Sequence, residues 1–344
     1  MREKLILEEN QNDYTNLIKN IKTDGFHITK LKEFLLEDNE NDMVNNVFLN
    51  ARKAMQYFAD PHVSSARTKV LALGKVQSGK TAFFISTIAY AFDNGYKVTI
   101  VLGGTKYNLL NQNRDRINRD FSLDSKTLIY DMNELDIGTL PDIIEQKKEI
   151  IITVLKSPQG EYVNLKKLLS LSLLLKNVPV LVIDDEADEF TPGAPKLKSK
   201  NPNAGKTHDV ISEIFYAFDI ITMIFVTATP QANLLISTLD DLTPEYAVLV
   251  EPGRGYTGGE AFHDSEYNER IIKISDEDDF KYTIPESFKD SLKLFMLTSS
   301  LLTLLEIDKH FSMLIHPSSL TKIQNYVLER IEDEFGDLRV LLVN

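Results

Sequence analysis

The stretch that most constrains this chain is Lys69–Thr81, KVLALGKVQSGKT. Its last eight residues, Gly74, Lys75, Val76, Gln77, Ser78, Gly79, Lys80 and Thr81, fit G-x-x-x-x-G-K-[ST], the phosphate-binding P-loop. That motif requires a strand before it and a helix after it. Val70–Leu73 is a short apolar run suited to a buried strand, and Ala82–Phe92 is apolar enough for a buried helix. The two glycines let the backbone curl so that its N–H groups face phosphate oxygens, and the positive end of the following helix adds to the attraction. Lys80 is expected to reach the terminal phosphates of ATP, and the Thr81 hydroxyl to hold Mg²⁺. A chance match in a glycine-containing loop would lack these flanks.

The rest of the sequence supplies the sheet such a loop needs. Val98–Leu102, Glu149–Leu155, Val178–Ile183 and Thr222–Val226 read as strands. Leu109–Phe121, Leu165–Lys176 and Ile211–Phe218 read as the helices between them. Strands that are apolar throughout and alternate with helices predict an α/β fold with a parallel sheet covered on both faces. In such sheets ligands sit beyond the carboxyl ends of the strands. The glycine loop, an acidic cluster and a Thr-Ala-Thr-Pro all fall there. The expected organisation is a helical N-terminal region (1–66), a RecA-like P-loop NTPase domain (67–250), a connector with a linking helix (251–308) and an incomplete second RecA-like domain (309–344). In the first region, Tyr14-Leu17-Ile18-Ile21 and Met43-Val47-Phe48-Ala51-Met55-Phe58 have helical spacing. In the last, Phe311–His316 and Arg339–Val343 read as strands flanking a helix at Thr321–Phe335.

The acidic cluster Asp184-Asp185-Glu186-Ala187-Asp188 directly follows an apolar strand. An NTPase needs one carboxylate for Mg²⁺ and another to position or deprotonate the attacking water, which suits Asp185 and Glu186 in that order. Thr227 and Thr229 end another core strand, where short hydroxyl residues can couple the nucleotide site to movement or cap the next helix. Lys106, Arg114, Arg116 and Arg119 follow Gly103-Gly104-Thr105, and Lys196, Lys198, Lys200 and Lys206 lie in a later Pro/Gly/Asn-rich loop. Either set can contact a phosphate backbone or simply be solvated. The net charge of −13 argues against a protein that coats nucleic acid with its whole exterior, though not against a local cleft. With no cysteine and no H-E-x-x-H, a zinc site is excluded. The cysteine-free composition suits the cytoplasm, and no apolar run approaches the ~18 residues of a membrane span.

Together, Gly74–Thr81, Gly103-Gly104-Thr105, Asp185-Glu186-Ala187-Asp188 and Thr227-Ala228-Thr229 resemble the first-domain motifs of superfamily-two helicases and translocases. More closely, the chain resembles the bacterial "Z-one" domain proteins, ATPases classed as endonucleases and associated with restriction-type and anti-phage gene clusters. The resemblance is carried by Val76–Ala82, Leu181–Asp188, Val226–Asn233, Tyr256–Phe262 and Ser312–Ser318. It implies ATP hydrolysis coupled to DNA in a defence setting. A partner defence protein or nuclease and an oligomer are compatible with it. Family members are usually longer, so the arginine that such enzymes supply across the cleft is not identified, and weak turnover by this chain alone is expected. The alternative is an ATP-dependent switch or assembly subunit that controls a partner effector.

Overall fold

The computed structural model describes residues 16–104, 106–121, 125–156, 162–189, 191, 204–229, 231, 240–259, 285–307, 310–318 and 320–343. The chain divides into two compact units, residues 1–258 and 259–344.

The larger unit is built on a seven-stranded sheet. Its strands are β1 (Ala66–Gly74), β2 (Val98–Gly103), β3 (Thr127–Asp131), β4 (Glu149–Val154), β5 (Val180–Asp185), β6 (Ile220–Thr227) and β7 (Tyr246–Val250), in the order β3-β4-β2-β5-β6-β1-β7. Every neighbouring pair is parallel. Because successive side chains in a strand point to opposite faces, each strand feeds two cores. Val70, Ala72, Val101, Leu181, Ile183, Ile224 and Val226 join one of them. Leu71, Ile100, Leu102, Val180, Val182, Met223 and Phe225 join the other. Polar alternation would have left one face wet, and continuous apolar runs are what a sheet covered on both sides requires.

The first core is closed by α1 (Phe26–Asp38), α2 (Asn41–Met55) and α3 (Lys80–Asp93), with Ile117 of α4 (Tyr107–Asp120). The second is closed by α5 (Leu140–Glu145), α6 (Tyr162–Leu174) and α7 (Ala204–Ala217). The N-terminal helices therefore share a core with the sheet. Asp93, the last residue of α3, accepts from the backbone N–H groups of His27 (3.2 Å) and Ile28 (2.8 Å), which satisfies donors at the start of α1. This is the α/β architecture of a RecA-like P-loop NTPase domain, with the P-loop at the β1–α3 junction.

Three local expectations are corrected. The helical spacing at Leu17-Ile18-Ile21 does not form a helix; Tyr14 lies outside the described residues. Leu17 instead bridges Ala59 antiparallel, and Ile18 N–H donates to Phe58 O at 3.0 Å, so pairing with the segment that follows α2 overrides the periodicity. Phe311–His316 forms no strand. Its side chains alternate as a strand's would: Met313 and Ile315 pack on Phe288, Leu292, Val327 and Ile331, while Leu314 is 91% exposed. No strand lies beside it among the described residues. Arg339–Val343 is the end of a helix, α9 (Thr321–Val343), which follows α8 (Glu286–Leu304). A five-residue apolar run does not distinguish strand from helix, and Arg and Leu are good helix formers that extend the helix already begun. Of the connector expected at 251–308, residues 260–284 lie outside the described residues. No described helix is long and apolar enough to cross a membrane.

Candidate functional site

The sheet register brings the expected site residues to one edge. Asp185 of β5 pairs with Gly103 on one side and Val226 on the other. Thr227 of β6 pairs with Leu73 of β1, and Gly74 with Val250 of β7. The P-loop, the acidic turn and the Thr227 corner thus leave the sheet at the same level, with β6 between β1 and β5.

The P-loop is tightly wound. Gln77 and Gly79 have φ of 55° and 91°, in the left-handed region, where a non-glycine residue is uncommon and marks a constrained turn. Gly74 has no room for a side chain, since a Cβ there would lie 2.7 Å from Lys80 Cγ. Ser78 N–H donates to Lys75 O (3.2 Å), and Gly79 is the N-cap of α3. Lys80 Nζ lies back across the loop, 3.5 Å from Lys75 O. Ser78 Oγ is buried with no hydrogen-bond partner among the described residues. An unsatisfied buried hydroxyl in a tightly wound glycine loop suits a phosphate ligand.

The acidic turn is held from three sides. Asp184 points into the protein, where its carboxylate accepts from Lys156 Nζ (2.7 Å) and Thr191 Oγ1 (2.6 Å). Burial pushes the Asp184 carboxyl up, opposed by Lys156 and Thr191. Asp185 Oδ2 accepts from Asn113 Nδ2 of α4 at 2.8 Å. Glu186 sits at φ 50°. Burial raises its carboxyl above the usual range; the charges of Asp185 and Asp188 add to this, and Lys80 opposes it. Asp188 accepts from Thr227 Oγ1 (2.6 Å) and from Thr229 Oγ1, and Thr227 Oγ1 accepts in turn from Thr229 N–H (2.9 Å). For Asp188, burial acts upward, but the two threonine hydroxyls outweigh it and hold the carboxyl below its ordinary value.

No group of three or more His, Cys, Asp or Glu side chains among the described residues could cage a metal. Nucleotide-bound Mg²⁺ needs no such cage, because it takes one or two carboxylates together with substrate phosphates and water. Half-buried Thr81 and Asp185 are oxygen donors of that kind.

A pocket of about 380 Å³ adjoins the outer side of the P-loop. Gln77, Ser78 and Gly79 form one wall, Met43, Val44 and Val47 of α2 another, and Arg254 to Tyr256 a third. The third wall is held by α2 and by the P-loop; Arg254 also pairs with Asp42 of α2 at 3.7 Å. Glu251 O accepts from Asn46 and Asn50 of α2, each at 2.9 Å, and Tyr256 O–H donates to Val76 O at 2.6 Å.

Two of the four basic residues after Gly103-Gly104 pair with nearby carboxylates. Arg114 pairs with Asp131 (3.4 Å), and Arg119 with Asp120 (2.7 Å) while lying over the Phe34 ring. Lys106 and Arg116 are exposed. Thr105, Pro230, Lys196, Lys198 and Lys200 lie outside the described residues, as does the Lys206 side chain. Sequence reasoning missed Lys156, Asn113 and the place of Asp188. Of these only Lys156 gave a signal, as a lysine closing the apolar run EIIITVL.

No protein-family model matches the chain, and no curated protein does. Among solved structures it is similar to the Pyrococcus furiosus Hef helicase domain, with TM-score 0.38 and 19% identity over 80% of this chain and 52% of that one. It is also similar to the helicase MrfA bound to DNA and AMPPNP (TM-score 0.41, 14% identity, 70% of this chain and 32% of that one). A third is S. cerevisiae Dbp5 bound to RNA and ADP BeF3 (TM-score 0.36, 12% identity, 62% and 50%). The chain spans about half or less of the length of these structures.

Proposed function

We propose that this chain is the ATP-binding and hydrolysing module of a superfamily-two-type DNA helicase or translocase. The observation that carries the reading is the row at the carboxyl ends of β1, β6 and β5. There the register sets the P-loop, Thr227 and the acidic turn at one level, and Thr227 and Thr229 fasten Asp188 of that turn.

In this reading Lys80 leaves the Lys75 carbonyl for the terminal phosphates, and Ser78 and the loop N–H groups take the remaining phosphate oxygens. Thr81 and Asp185 are the side chains that would hold Mg²⁺, which would supply positive charge to neutralise the negative charge that develops on the phosphates. Asn113 fixes the Asp185 carboxylate from the other side. Glu186 orients the attacking water and takes its proton, a role suited to a carboxyl whose affinity for protons is raised toward the working pH. The pocket beside Gln77–Gly79 takes the nucleoside: its size and mainly apolar wall fit a base and sugar. Thr227 and Thr229 transmit changes at the acidic turn to β6 and the segment after it.

DNA as the track, a bacterial defence setting and a cytoplasmic location rest on the motif resemblance and the cysteine-free composition. With an acidic surface overall, DNA contact is assigned locally to Lys106 and Arg116. A second reading, an ATP-dependent switch acting on a partner protein, is favoured by Leu297 and Leu304 of α8, exposed at 69% and 80%. Calorimetric titration of Mg-ATP into the full chain and its Lys80→Ala variant tests the nucleotide site, and equal affinities would overturn it. ATP turnover with and without DNA separates motor from switch.

A further inference from the structure

Lys156, two residues beyond β4, is buried completely. An ammonium ion in such a place loses its hydration at a heavy cost unless it is paired and its protons are used. Here all are used. Nζ donates to Asp184 Oδ1 at 2.7 Å and reaches Glu186 O at 2.9 Å, Asp185 O at 3.2 Å and Thr191 Oγ1 at 3.3 Å. An ammonium group has three protons, so four acceptors saturate it. The base of the side chain is anchored as well, because Lys156 N–H donates to Gly104 O at 2.8 Å beyond the end of β2.

Two of those acceptors are the carbonyls of Asp185 and Glu186, the residues to which the ATPase reading gives the metal and the attacking water. Glu186 is held in the left-handed region, which is strained for a non-glycine residue and persists only where its surroundings impose it. Lys156 imposes it from below, and Ala187 N–H, bonded to Val226 O at 3.1 Å, imposes it from the next residue. Stability alone does not call for this arrangement, since apolar residues of similar volume often replace a buried ion pair without loss. A grip on two backbone carbonyls is what an apolar residue could not supply.

We propose that Lys156 is a positioning residue for the nucleotide site. It fixes the backbone at 185–186 so that Asp185 presents its carboxylate to the metal and Glu186 presents its own to the water. This rests on the ATPase reading above. It acts through the turn and does not touch the nucleotide.

The test uses the full chain and two variants. Lys156→Met alone strands the Asp184 charge, so it is combined with Asp184→Asn, which is neutral and can still accept from Thr191. The control is Leu168→Ala, a cavity in the second core, which α6 covers. ATP affinity is measured in EDTA and in Mg²⁺, and thermal melting on the same samples. The double variant is expected to fold and to bind metal-free ATP within about threefold of the parent, because the P-loop is untouched. Its Mg²⁺-dependent gain in affinity should fall by about 10- to 100-fold, the usual effect of removing a group that orients a metal ligand. Leu168→Ala should lower the melting temperature and leave the gain intact.

The proposal is overturned if the double variant keeps the parental Mg²⁺ gain, or if Leu168→Ala loses as much of it. It is also overturned if the double variant does not fold, since the pair would then serve stability. A parent that binds ATP without any Mg²⁺ gain refutes the positioning role alone, whereas a parent that binds no ATP refutes the ATPase reading and this inference together.

Discussion

Thr227 offers the sharpest quantitative test of how the acidic turn is held. Its side chain is fully buried, and its hydroxyl makes two bonds, donating to Asp188 Oδ1 at 2.6 Å and accepting from Thr229 N–H at 2.9 Å. Thr227→Val keeps the volume and β-branching but removes both. A hydrogen bond to a charged group contributes about 1.5–3 kcal/mol and a neutral one about 0.5–1.5 kcal/mol. Asp188 is half-buried, so water replaces part of what it loses, and the figure must be discounted for that screening. The expected loss is about 1–2.5 kcal/mol. Thr227→Ser keeps the hydroxyl and should lose only about 0.8 kcal/mol, the burial of one methyl group.

The pH dependence gives a second handle on the same bond. The Asp188 carboxyl is held below its ordinary value, so between the two values the unfolded chain binds more protons than the folded one. Stability from this contact is full above about pH 4, the unfolded value, and is lost as pH falls through the folded value. Urea unfolding of the large unit at several pH values is the assay. The gap between parent and Thr227→Val should be widest near neutrality and narrow in acid. A valine variant as stable as the parent at pH 7, or a serine variant that loses as much as valine, would refute the argument.

Lys80→Ala should abolish measurable ATP binding by calorimetry while leaving the melting temperature nearly unchanged, because an incompletely buried loop lysine carries little stability. Glu186→Gln should bind Mg-ATP almost normally and turn it over about 10²-fold more slowly in single-turnover assays. The same variant should be slightly more stable than the parent at neutral pH. With the folded carboxyl raised by burial and by Asp185, the folded state holds the proton more tightly, and stability falls as pH rises through that window. Tyr256→Phe removes the bond to Val76 O and should weaken ATP binding by about 2- to 10-fold, the worth of one hydrogen bond, as read by fluorescent-nucleotide titration.

What the sequence disclosed and what it hid follow from how each signal is encoded. The P-loop and the runs that became β1, β2, β4, β5 and β6 were legible because a sheet buried on both faces needs unbroken apolar strands, and because the motif needs its glycines at fixed spacing. Strands β3 and β7 were not picked out. TLIYD and YAVLV are short edge strands of the sheet, and several of their side chains remain partly open to water. Asp185 and Glu186 stood out by following a strand directly, but the division of labour within the cluster did not. Asp184 and Asp188 are the same residue type, four apart, yet one is sunk against Lys156 and the other tied to two threonines.

Lys156 shows where such inference reaches its physical limit. A lysine at the end of a strand is solvated in most proteins, and nothing adjacent in sequence identifies its partners. Asp184, Asp185 and Glu186 lie 28 to 30 residues away and Thr191 lies 35 away. They meet only because β4 and β5 both pair with β2, at Val154 and Asp184 against the same residue, Leu102. Sheet order is a property of the whole chain, so a group positioned through it becomes visible only once β2 is seen between the two strands. The same holds for Asn113, which reaches Asp185 from the helix that follows β2. The residues proposed to touch phosphate are written locally, as a motif, whereas those that hold them in place are written in the topology.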